Sequence, residues 1–135
     1  MTRRFGLDTN VLLRLAIDDD PAQTAQVKRL IQNLDEVDVL IVSLPVMLEV
    51  AWVLERFYEY PKERVLDFLQ AILERREVEV PNYQVVGNAI DICRGTTADF
   101  SDAVISELNR LSGCATTYTF DIKAARKIPG MELLT

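Results

Sequence analysis

Arg4-Phe5-Gly6-Leu7-Asp8-Thr9-Asn10-Val11-Leu12-Leu13 is the stretch that decides how this chain folds. Arg4 to Leu7 reads as a short buried strand. Asp8, Thr9 and Asn10 follow at once, residue types that favour turns and helix N-caps, and Val11 to Ile17 then reads as a helix. A strand that passes straight into a helix, with an acid at the junction, is the opening of an alternating α/β chain.

The pattern continues outward. Asp18-Asp19-Asp20-Pro21 breaks the first helix and starts the next, with Asp20 as N-cap and Pro21 where a missing N–H costs nothing. That helix runs to about Leu34 on Ala25, Val27, Leu30, Ile31 and Leu34. Val37 to Val42 is β-branched and nearly uncharged, as suits a central strand. Ser43 and Pro45 open a helix to about Tyr58, and Tyr60-Pro61 starts another from Lys62 to Arg75. Val78 to Pro81 is a short strand candidate, and Asn82 begins a helix through Cys93. Asp99 to Leu111 returns to helical spacing with Phe100, Val104, Leu108 and Leu111 on one side, and Gly113 closes it. Ala115 to Phe120 reads as a strand, Asp121 to Lys127 as a short helix and Met131 to Leu134 as a last strand.

This order predicts a single α/β domain over 1–135, three layers deep, with a mostly parallel central sheet flanked by helices. Ligands in such folds bind beyond the carboxyl ends of the strands. Asp8 and Asp121 fall there, while Glu49, Asp99 and Asp102 lie in first turns of helices. The acids are therefore expected to cluster along one rim, the C-terminal edge of the sheet.

Composition narrows the chemistry. The chain has 135 residues, a net charge of -6 and no His, which removes the usual proton shuttle, the Ser-His-Asp system and nearly every catalytic zinc site. Carboxylate-held metal remains, with Mg²⁺ or Mn²⁺ the natural choice. The negative balance argues against gripping nucleic acid by charge alone, yet acids gathered around a metal lower net charge without forbidding a phosphate substrate. Cys93 and Cys114 have no metal-ligand spacing and are expected to be buried thiols. Met1-Thr2-Arg3-Arg4 lacks the apolar run of a signal peptide and no stretch reaches the length of a membrane span, so no membrane is expected and the cytoplasm is the expected compartment.

Each acid also has a plainer use. Asp8 and Asp121 suit N-caps, and the helix dipole favours Asp99 and Asp102 in a first turn. Glu49 is harder to place: it is the lone charge between Ser43 and Leu54 and stands one turn too late for a capping box from Ser43, so it must be exposed on a narrow stripe or paired. Asp99 and Asp102, three apart, project from one side and repel unless a cation is shared. Asp18-Asp19-Asp20 and Asp35-Glu36 read as solvated loop charges. Lys123, Arg126 and Lys127 form a basic stripe beside Asp121, suited either to solvent or to a phosphate backbone. Trp52, Phe57 and Tyr58 suit core packing or a subunit interface.

Taken together, Leu7-Asp8-Thr9-Asn10-Val11-Leu12, Leu48-Glu49-Val50, Asp99-Phe100-Ser101-Asp102-Ala103-Val104-Ile105 and Thr119-Phe120-Asp121 resemble the motif set of the PIN domain, in particular of VapC-type toxins of toxin–antitoxin pairs. The resemblance spans almost the whole chain. It implies a Mg²⁺- or Mn²⁺-dependent endoribonuclease with one or two ions, homodimeric, and neutralised by a cognate antitoxin. On that resemblance Asp8, Glu49, Asp102 and Asp121 match the catalytic carboxylates, Asp99 is an additional metal-ligating acid, and Asn10 and Thr119 fall where polar residues orient the acids. Lys123, Arg126 and Lys127 are then candidate RNA contacts.

Rivals are weaker. A haloacid-dehalogenase-like phosphatase wants a second Asp where this chain has Asn10, and a phosphoaspartate receiver needs an early acid pair and a late Lys that do not appear. The rival of a different class is a catalytically inert PIN-like module that binds RNA or a protein partner. A purely structural dimerisation domain gives the acids no reason to converge.

Overall fold

The computed structural model, which describes residues 2–135, divides into a unit of Met1–Pro81 and a unit of Asn82–Thr135. The N-terminal unit runs β1 (Arg4–Gly6), α1 (Thr9–Leu13), α2 (Pro21–Gln32), β2 (Val39–Ile41), α3 (Leu44–Arg56), α4 (Lys62–Glu74) and β3 (Val78–Glu79). Helices lie between consecutive strands, so the strands pair in parallel, with β2 central. Leu40 stands opposite Phe5 on one side and Val78 on the other. Beyond the strand end, the Leu7 amide donates to the Ile41 carbonyl at 2.9 Å, which carries the ladder up to Asp8.

The buried positions repeat with the helical period. Met47, Val50, Ala51 and Leu54 line one side of α3, and Val65, Leu66, Leu69 and Ile72 one side of α4. Asp20 caps α2, its carboxylate accepting from the Gln23 amide at 3.1 Å, with Pro21 at the first position as expected. α1 is shorter than the sequence suggests. Arg14, Leu15 and Ala16 donate three residues back, so its last turn tightens instead of continuing. On α2 only Val27, among the five predicted apolar positions, is fully buried. Leu30 borders a concavity between α1 and α2, and Ile31 and Leu34 border another, which leaves all three half-exposed.

The C-terminal unit runs α5 (Tyr83–Cys93), α6 (Phe100–Leu111), β4 (Thr117–Thr119), α7 (Ile122–Lys127) and β5 (Met131–Leu133). β4 and β5 pair in parallel around α7, with Tyr118 opposite Glu132. α5 packs on α6 through Val86, Ala89, Ile90, Ala103 and Val104. Glu107 is buried with them and is satisfied: Asn88 donates to it at 2.9 Å and Arg110 Nε at 3.2 Å. Gly113, at φ 85°, ends α6, with its amide on the Arg110 carbonyl and the Cys114 amide on that of Asn109. That turn brings Cys114 to the surface, so of the two cysteines only Cys93 is the buried thiol expected. Leu111 is exposed as well, being the last residue of its helix. Among the described residues no helix is long and apolar enough to cross a membrane.

Gly130 sets the approach to β5. Its φ is 87° and a Cβ there would stand 2.9 Å from the Ser106 hydroxyl, which is already held by a 2.8 Å bond to the Pro129 carbonyl. Gly130→Ala is therefore expected to destabilise the protein by about 1–3 kcal/mol in urea unfolding. A neutral result would mean that Ser106 gives way freely.

Asp38 is the buried acid of the N-terminal unit. It accepts from the Arg3 amide at 3.3 Å, Arg3 Nε at 3.2 Å, Arg3 Nη2 at 2.6 Å and the Asp35 amide at 2.9 Å. The Arg3 guanidinium, then the Asp35 amide, lower its pKa from 3.8 to about 2. Between those values the folded state binds fewer protons than the unfolded, so the stabilisation is present above 3.8 and is lost as pH falls to about 2. Urea midpoints should drop across that window, and Asp38→Asn should flatten the drop.

Candidate active site

Three of the five candidate acids are helix caps, and the caps fix where their carboxylates stand. Asp8 leaves β1 in extended conformation and caps α1, its Oδ1 accepting from the Val11 amide at 3.0 Å. Asp99 caps α6, accepting from the Asp102 amide at 3.2 Å, and Asp121 caps α7, accepting from the Ala124 amide at 3.1 Å. In each case one oxygen is committed to a backbone N–H and the other is left for a ligand. Capping is thus no alternative to metal binding at these positions. The cap holds the carboxylate still.

Thr119 stands two residues before Asp121, at the end of β4. Its hydroxyl accepts from the Asp121 amide at 3.0 Å and so fixes the entry to α7. Asn10 is exposed beside Asp8, and among the described residues no hydrogen bond joins the two. Glu49 projects from α3 between buried Met47 and Val50 and is itself exposed, the first of the two alternatives open to it. Lys123, Arg126 and Lys127 are exposed on α7, the last two in its final turn, where they complement the helix dipole.

Asp8 and Glu49 belong to the N-terminal unit, and Asp99, Asp102 and Asp121 to the C-terminal one. Among the described residues no three His, Cys, Asp or Glu side chains form a group tight enough to hold an ion. Asp102 nevertheless feels the other two acids of its unit. Burial, then the charge of Asp99, then that of Asp121, push the Asp102 pKa up. Like charges facing each other at a half-buried carboxylate are what a cation relieves. The donor set is all oxygen with no imidazole, which suits Mg²⁺ or Mn²⁺ and not zinc or copper.

A raised acid pKa means that ionising Asp102 costs stability as pH rises through that pKa, the opposite sense to Asp38. Asp102→Asn should therefore raise the melting temperature slightly in chelator, while added Mg²⁺ should stabilise the native protein more than the variant. Calorimetry checks both, and equal Mg²⁺ stabilisation would remove Asp102 from the metal-binding set.

Asp19, expected from the sequence to be a solvated loop charge, is exposed and is also paired. Arg14 Nη1 donates to Asp19, and the Tyr58 hydroxyl donates to the same carboxylate at 2.7 Å. Tyr58, then Arg14, lower the Asp19 pKa. Arg14 itself was missed; the signal was a lone cation within the apolar run Val11 to Ile17. Trp52 and Phe57 are exposed, not core.

The PIN domain family model matches residues 6–129, which covers both units and all five acids. The chain belongs to the PIN domain family. A crystal structure of Mycobacterium tuberculosis VapC20, described as a sarcin-ricin loop cleaving toxin, is similar over 91% of this chain and 93% of that chain, at 21% identity and a TM-score of 0.42. Among curated proteins none matches the chain.

Proposed function

We propose that the chain is a VapC-type toxin: an endoribonuclease that hydrolyses RNA phosphodiester bonds with Mg²⁺ or Mn²⁺, acting as one domain over 1–135. The observation that carries this reading is Asp102, half-buried against two further acids in a protein of the PIN family. Asp8, Glu49, Asp102 and Asp121 are the proposed catalytic acids, and Asp99 would join them as a ligand. The chemistry a bound ion supplies is a more acidic water and compensation of charge on the phosphoryl oxygens. The chain's own part is to hold the carboxylates still: Asp8, Asp99 and Asp121 through backbone amides, with the entry to α7 at Asp121 further fixed through Thr119. With no His to serve as the usual base for a side-chain nucleophile, direct attack by water fits better than a covalent intermediate.

A cognate antitoxin and a second copy of the chain are the proposed partners, and the exposed Trp52 and Phe57 support protein contacts on α3. Lys123, Arg126 and Lys127 are proposed to meet the RNA backbone. Incubation of a mixed cellular RNA pool with the purified chain, with and without Mg²⁺ or Mn²⁺, tests the reading. Discrete metal-dependent products are expected. No products together with no cation binding in calorimetry would favour an inert PIN-like module.

A further inference from the structure

The N-terminal unit has a concavity of about 300 Å³ between α1 and α2, and of its lining the proposed chemistry uses only Asp8. The α1 side contributes Asp8, Asn10 and Arg14, and α2 contributes Gln23 and Gln26; Val11 and Val27 supply apolar surface. Its size is at the lower end for ligand sites, enough for one ring system and not for a length of chain.

Arg14 makes this more than a surface dent. Its side chain is 9% exposed, it lines the concavity, and its Nε has no hydrogen-bond partner. That nitrogen lies beneath the surface, so it meets an incoming acceptor only when the Arg14 side chain shifts. Its charge, however, is already met by Asp19, and Asp8 adds a carboxylate to the lining. A phosphate would gain little from the one and be repelled by the other. A neutral group with both donors and acceptors fits instead. Asn10, Gln23 and Gln26 each offer both, and carboxamides and guanidinium are the side chains that pair with base edges.

We propose that this concavity receives an unpaired nucleobase of the RNA, adjacent to the bond served by Asp8, and so selects where the chain cuts. The inference rests on the ribonuclease reading for its substrate, but it is tested without cleavage. Adenosine, guanosine, cytidine and uridine are titrated separately into the ¹⁵N-labelled full chain in chelator, followed by amide shifts. At least one nucleoside should give saturable shifts at Asn10, Gln23, Gln26 and Val27. Gln23→Ala and Gln26→Ala, exposed positions where Ala keeps the helix, should each weaken it about fivefold, the effect of one net hydrogen bond. No saturable shift at these residues with any nucleoside, or shifts unchanged in both variants, would overturn the proposal. A chain that cuts RNA but fails this test loses only the base pocket. One that binds nucleosides here but cuts nothing loses only the nuclease.

Discussion

Asp8→Asn should lose cleavage by about 100- to 1000-fold while its melting temperature stays where it was. The two halves of that expectation come from two uses of one side chain. Through Oδ1 the carboxylate caps α1 at the Val11 amide, and the amide oxygen of Asn serves a cap about as well. Through its charge it is proposed to hold the cation, and there a neutral amide is a poor substitute. Asp8→Ala separates the two: it loses cleavage and also about 1 kcal/mol of stability with the cap. Single-turnover cleavage at saturating Mg²⁺, beside thermal unfolding, reads both. An Asn variant that cuts at the native rate would confine Asp8 to its structural role.

Leu40→Ala should remove about 3–4 kcal/mol of stability, a large fraction of what a domain of this kind has. Leu40 is 0% exposed and stands at the middle of β2, between Phe5 of β1 and Val78 of β3. Shortening it takes apolar surface out of the centre of the sheet, where neighbours on both sides are tied by ladder bonds and close the gap poorly. Cleavage per folded molecule should not change, because β2 carries no candidate site residue. The urea midpoint should fall with little change in slope. A loss under 1 kcal/mol would mean that the sheet relaxes around the gap.

How far the sequence could be read depended on whether a signal was local. Asp20-Pro21, Asn82, Asp99, Gly113 and Asp121 each announce a helix end through their own backbone chemistry, and each was found where expected. The apolar rhythm of α3 and α4 was equally plain. What failed was inference about the surroundings. Periodicity says which residues share a face, not whether anything covers it, so Leu30 and Leu111 were credited with more burial than they have, and of the two readings open to Trp52 and Phe57 core packing falls. Pairings across long loops left no trace either: Arg3 meets Asp38, and Tyr58 meets Asp19. Asp8 and Asp121 were legible as helix caps because strand-to-helix junctions mark themselves. Arg14 was not, because its role depends on a cleft that forms only when two helices fold together.

The caps have one more consequence, for inheritance. Asp and Asn codons differ only in their first base, by a single transition. At Asp8, Asp99 and Asp121 the residue that disarms the proposed nuclease is also the residue that preserves the helix start. A folded, silent form of the protein, with its surfaces for partners intact, thus lies one nucleotide away at three separate places in its gene.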